Sequence, residues 1–264
     1  MLERLFGSRR PSPDAVMRRL LILKHQIVHG LTTPPQAILS TWKASWAKDE
    51  WDRFQSDMQA RSAEMQRAVR QAGLWEFMTD DERIFIASPL LEITEQQKVN
   101  ASWLMEGAVC LLWALGYVKS IPPYDAQADV ELLGSVPAEP VDALAKPTSL
   151  RPKADIEAAR ACAELWHWRS RTRQLQEQGG YESRLPAGMT FERIIAGAAE
   201  SAAANADIPG VVGDDFPAFG RSYREATAAE YATLTSIAME RHRAFNWLCG
   251  LAPRNRWNDT PTDT

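Results

Sequence analysis

The strongest constraint on the fold of this chain is that its segments open on helix caps and close on glycine, while none alternates apolar and polar residues as a strand would. Ser12-Pro13-Asp14 opens a helix that carries Val16, Leu20, Leu23 and Ile27 on one stripe and that Gly30 is expected to close. A second helical stretch begins at Thr33-Pro34 and runs to Gly73, with a break expected near residues 48–50. Thr79 with Glu82 and Thr94 with Gln97 read as capping boxes, in which a side-chain oxygen and a carboxylate or amide satisfy the open N–H groups of a first turn. The second box starts a helix that ends at Gly116.

Helical periodicity stops at residue 119 and returns at 154, because prolines 122, 123, 137, 140, 147 and 152 remove amide donors and force extended or turn geometry. A short helix over 125–133 is the one element expected inside this Pro-rich segment, 119–152. Beyond it the pattern predicts a helix over 154–178, stopped by Gly179-Gly180, and an alanine-rich helix over 190–205 able to approach a neighbour closely. Thr227 with Glu230 then caps a last long helix that runs to Gly250. The expectation is an all-α bundle of about eight helices with one long irregular segment and no substantial sheet.

Hydrophobic residues make up 45% of the 264 positions and charged ones 24%, enough apolar surface for a full core. A net charge of −4, with basic residues scattered among acids, offers no stripe on which phosphates could displace their counterions, so nucleic acid is not an expected partner. The longest apolar run, 109–115, is far short of the roughly 20 residues that cross a bilayer, and Asp14 stands where a signal peptide's apolar core would begin. A cytoplasmic location is expected. Cys110, Cys162 and Cys249 stand singly within apolar helical stretches and read as free thiols. The richness in alanine and arginine suggests a GC-rich bacterial source.

Some polar residues fall where apolar ones belong. Leu234, Ala238, Arg241, Phe245 and Leu248 form one stripe of the last helix, with a guanidinium in its middle. Glu106 lies in a helix that is apolar nearly all round, and Glu164, His167, Arg169 and Arg173 are embedded among Leu165, Trp166 and Trp168. Two readings stay open. One is a structural ion pair, Glu106 with Arg241 or Arg169, since an unpaired buried charge costs several kcal/mol. The other is a polar pocket in which an arginine grips a carboxylate or phosphate and Glu106 or His167 moves a proton.

His25 and His29 share a helix face at metal-like spacing, but no Glu or Cys partner accompanies them, so no metal site is expected. The chain contains no phosphate loop, dinucleotide fingerprint or nucleophile elbow, so neither a cofactor nor a catalytic nucleophile is expected. Ten tryptophans are many for this length, and Trp42, Trp46 and Trp51, recurring on a helix otherwise rich in Lys, Asp and Gln, are candidate anchors for a protein partner.

Three segments carry a family resemblance: W-L-M-E-G-A-V-C-L-L-W-A-L-G at 103–116 followed by P-P-Y-D at 122–125, A-E-L-W-H-W-R-S-R at 163–171, and E-R-H-R-A-F-N-W-L at 240–248 with W-N-D-T-P-T-D-T at 257–264. In these the chain resembles the bacterial domain of unknown function 4272. The resemblance implies a family region over about 65–264, with residues 1–64 as an added helical extension. In the family pattern an acidic Trp-Asp pair precedes the terminal Asp-Thr; Asn258 departs from it, while Asp259 and Asp263 remain. The resemblance implies no reaction. It places Glu106, Arg169, Glu240, Arg241, Asn246, Trp247 and Asp259 within shared motifs, which adds Asn246 and Asp259 to the candidate ligand-binding set of Glu106, His167, Arg169 and Arg241. The function expected is a protein-binding accessory or immunity-like module, with a ligand-binding protein or enzyme built around Glu106, His167 and Arg241 as the alternative.

Overall fold

A computed structural model describes residues 10–137 and 149–264, which leaves Pro140 and Pro147 of the Pro-rich segment outside the described residues. The fold is all-α. Eight α-helices are present among the described residues: α1 (Pro13–Thr32), α2 (Gln36–Ser45), α3 (Lys48–Gln71), α4 (Asp80–Ala87), α5 (Glu95–Ala114), α6 (Lys153–Gln178), α7 (Phe191–Ala204) and α8 (Ala228–Leu248). The strands described are two of two residues each, β1 (Pro217–Ala218) and β2 (Arg221–Ser222). No described helix is long and apolar enough to cross a membrane.

The chain forms two compact units. Among the described residues, one comprises 12–119, 128–137 and 149–150, the other 10–11, 120–127 and 151–264. In the first unit α1 packs chiefly on α5. Val16, Leu20, Leu23 and Ile27 are fully buried, as the periodicity predicts. Gly30 does not end α1, which runs two residues further. A Cβ at Gly30 would lie 2.4 Å from the Cβ of Ala101, so the glycine marks where α1 meets α5 and no side chain fits. The expected capping boxes at Thr79 and Thr94 both form. Glu82 of the first box also accepts from Arg19 at 2.5 Å and from Gln26 at 3.2 Å, a buried polar cluster under α4. The break between α2 and α3 falls at residues 46–47, close to the expected place. The helix expected over 125–133 is instead a single 3-10 stretch, Val130–Ser135, capped by Asp129.

In the second unit α6 and α8 pack along their lengths, and α7 joins α6. The alanines of α7 serve as its spacing predicts: Ala199 and Ala202 are buried in a core with Trp166, Ile208, Phe216, Tyr223 and Leu234. β1 and β2 pair antiparallel, Pro217 with Ser222 and Ala218 with Arg221. The two turn residues both have positive φ, Phe219 at 53° and Gly220 at 74°, the pairing that a tight hairpin requires. Behind α8 the chain folds back: Trp247 Nε1 donates to the Asn255 carbonyl at 3.0 Å, and Trp257 packs edge-on against Trp247.

Candidate functional site

The site is assembled on the α6–α8 pair by two charged side chains that the helical pattern marks as out of place. Arg241, in the apolar stripe of α8, donates from Nη1 to the carbonyls of Pro122 at 2.5 Å and Pro123 at 3.3 Å, and from Nη2 to that of Ala126 at 3.1 Å. Its guanidinium carbon lies 4.8 Å from the centre of the Tyr124 ring. Two prolines in this stretch have no N–H and cannot be tied down by donating, so a guanidinium that collects their carbonyls fixes the loop 122–126 instead. Tyr124 in turn stacks on Trp166 of α6, with ring centres 5.0 Å apart and planes 6° apart.

That loop forms one wall of a pocket of about 490 Å³, lined also by Asp125, Cys162, Trp166, Asp207 and Phe245. Asp125 is anchored through Oδ2, which accepts the Phe219 N–H of the hairpin turn at 2.8 Å. The Cys162 thiol donates to the Asp207 carbonyl at 3.1 Å. Burial, and next the nearby Asp207 charge, push that thiol up to about 11, so it stays protonated at neutral pH and is no nucleophile. The pocket thus has aromatic and proline walls, and its charged lining residues are two carboxylates.

Arg169, one turn after Trp166 on α6, is 1% exposed and forms a fork with the fully buried Asp215, Nε to Oδ1 at 2.6 Å and Nη2 to Oδ2 at 2.7 Å. Asp215 also accepts from the N–H groups of Phe216 at 2.8 Å and Arg224 at 3.1 Å. Arg169 stands over the Tyr223 ring, 4.4 Å from its centre. The carboxylate partner of Arg169 is therefore Asp215, where the sequence left Glu106 open to pair with either Arg241 or Arg169. Glu106 is buried in the other unit, where it accepts the Ala128 N–H at 2.7 Å.

His167 meets His242 of α8 with Nδ1 atoms 3.0 Å apart. The Asn246 side-chain amide donates to His242 Nε2 at 2.9 Å and to the Pro261 carbonyl at 2.8 Å. An accepting Nε2 assigns the His242 proton to Nδ1, which donates to His167, and leaves the His167 proton on Nε2. Burial pushes both imidazoles down to about 4; for His167 the His242 ring adds to the effect, and for His242 the Arg160 charge does. Both are neutral at pH 7. Asp259 lies at the surface beside Arg256, at 3.6 Å.

Of the candidate ligand-binding residues, the structure joins His167 to Asn246 through His242, gives Arg241 the role of holding the pocket loop, and leaves Asp259 at the surface. Asp207 and Asp215 escape a reading of the sequence, because each lies far along the chain from its partner and neither breaks a helical stripe as a misplaced arginine does; Asp125 and His242 lie within the quoted motifs, but their partners Phe219 and His167 are 94 and 75 residues away. Tyr124 and Trp166 do fall within the quoted motifs, yet an aromatic in a motif reads as core. His25 and His29 each give a ring nitrogen to a backbone carbonyl, of Leu21 at 2.7 Å and Ser88 at 3.1 Å.

Residues 37–196 match the family described as Domain of unknown function (DUF4272), which is more than half of the chain. The chain belongs to that family. The DUF4272 match takes in Tyr124, Asp125, Cys162, Trp166, His167 and Arg169 and stops short of Asp207, Asp215 and all of α8. No curated protein and no solved structure matches this DUF4272 member.

Proposed function

We propose that this protein works by binding and that the pocket behind Tyr124 receives a small ligand or a partner's side chain with an apolar body and a cationic end. The observation that carries this reading is the pocket itself: about 490 Å³ walled by Tyr124, Trp166, Phe245 and prolines, with Asp125 and Asp207 as its carboxylates. Apolar walls gain from an apolar group, and carboxylates in a poorly hydrated cleft favour a donor that carries positive charge. The one thiol present is protonated, so the chemistry of the pocket suits holding over reacting.

Calorimetric titration with phenethylammonium and with its neutral alcohol analogue tests the reading. The cation should bind, and Asp207→Asn should weaken it about tenfold, the equivalent of one hydrogen bond to a charged group, while leaving the alcohol nearly unaffected. Equal binding of cation and alcohol, or none by either, sinks the assignment.

A second reading, of a protein-docking surface with an accessory or immunity-like role, is favoured by the aromatic group at the α2–α3 junction. Trp42 and Trp46 stack at 4.9 Å, Trp51 packs edge-on to Trp46 at 6.3 Å, and Phe54 touches all three. All four are half-buried, and α2 itself buries only Leu39. A partner that co-purifies stoichiometrically and is lost when Trp42, Trp46 and Trp51 become alanine supports docking there; retention of that partner by the triple variant rules it out.

A further inference from the structure

We infer that a second pocket on the same unit, lined by Arg169, Arg173, Gln176, Glu177 and Arg224 and about 290 Å³ in volume, is a binding site for a small oxyanion, a phosphate or carboxylate group. This inference is independent of the reading given to the Tyr124 pocket.

The observation that points to a ligand is a nitrogen without an acceptor. Arg169 is 1% exposed, and while its Nε and Nη2 are engaged by Asp215, its Nη1 is buried with no hydrogen-bond partner among the described residues. A buried donor left unmade costs about 1–3 kcal/mol, more when it is charged, so its persistence calls for an acceptor that the protein does not itself supply.

The neighbouring groups suit an anion. Arg173 is held by its own chain: Nε donates to Glu177 at 2.8 Å, and Nη1 donates to the carbonyls of Tyr223 at 3.3 Å and Ala226 at 3.0 Å. Its plane is fixed over the Tyr231 ring at 4.4 Å, so this guanidinium is pre-organised before any ligand arrives. Arg224 has a half-exposed side chain, touches Asp215 only at 3.6 Å and has the Glu192 charge within electrostatic reach. Three guanidinium groups face two carboxylates, Asp215 and Glu177, and Glu177 is half-exposed. The Glu192 charge also reaches Arg224, so what favours an oxyanion here is not a net charge but donors already in place.

The test is a titration of the full chain with inorganic phosphate, and separately with acetate, at ionic strength held constant with sodium chloride. Melting temperature and the side-chain Nε–H resonances of the arginines are followed together. A saturable response to either anion that is absent with chloride is expected, and acetate against phosphate tells which headgroup the site prefers. Arg224→Gln should weaken the response about tenfold while the urea midpoint without anion stays at the wild-type value, since the Arg224 backbone N–H to Asp215 is retained. Arg173→Gln, with the same readouts, should weaken it as well. No saturable response to either anion overturns the inference. So does an undiminished response in both variants, which would put the anion elsewhere on the surface.

Discussion

Asp215→Asn removes one charge and almost no volume, and the geometry around Asp215 sets how much stability should go with it. The carboxylate is fully buried and accepts from Arg169 Nε, Arg169 Nη2, the Phe216 N–H and the Arg224 N–H, with the Ser222 hydroxyl at 3.4 Å. Whichever way the asparagine amide turns, its NH₂ must face either Arg169 Nε and the Phe216 N–H or Arg169 Nη2 and the Arg224 N–H. Two donors then meet a donor, at about 1–3 kcal/mol for each group left unsatisfied. The buried guanidinium also loses its counter-charge, and breaking such a pair by one partner costs about 3–5 kcal/mol in total; the terms overlap and do not add. Urea unfolding followed by circular dichroism should show a loss in that range. Replacing both partners, Arg169→Met with Asp215→Leu, should recover the part due to the buried charge but not the part due to the Phe216 and Arg224 N–H groups, which lose their acceptor. A loss under about 1 kcal/mol for Asp215→Asn would refute the reasoning, since it would mean that water reaches the carboxylate or that Arg169 finds another anion.

Gly30→Ala places a methyl group 2.4 Å from the Ala101 Cβ; overpacking of about 1–3 kcal/mol outweighs a helix-propensity gain of up to about 1 kcal/mol. A net loss is expected in urea unfolding, relieved when Ala101→Gly is added. His167 and His242 take protons near 6.5 in the unfolded chain but only near 4 in the folded one, so acid favours the unfolded state. Stability should be level above about pH 6.5 and fall steadily toward pH 4 in a melting-temperature series, with His25 and His29, also lowered chiefly by burial, adding to the same slope. His242→Gln should flatten part of that slope. Arg241→Met strips three carbonyls of the 122–126 loop of their donor, so amide exchange at Tyr124 and Asp125 should quicken and affinity for a ligand of the Tyr124 pocket should fall although Arg241 is not among its lining residues.

How much of this was legible in the sequence depends on the distance over which each signal acts. The caps at Ser12, Thr79, Thr94 and Thr227 form as written, because a cap is closed within three residues of itself. Gly30 was misread for a related reason: a glycine that ends a helix and a glycine that lets another helix approach look alike until the partner, Ala101, is known. Arg169 and Arg241 stood out because a charge on an apolar stripe conflicts with its own neighbours, but their acceptors are 46 residues away at Asp215 and 119 away at Pro122. Where those acceptors lie follows from helix geometry. Carbonyls inside a helix already accept from their own N–H four residues on, so a guanidinium buried in mid-helix must look to side-chain carboxylates, as Arg19 does to Glu82, or to backbone outside helices. Both arginines do so: Arg241 takes carbonyls from the proline-bearing loop at 122–126, and Arg169 takes a carboxylate from the irregular stretch ahead of β1. Each of these two buried arginines therefore has an irregular segment docked upon it. The pocket at Tyr124 lies where Arg241 holds one such segment, and the unpartnered Nη1 of Arg169 marks where a segment's acceptors fall one short.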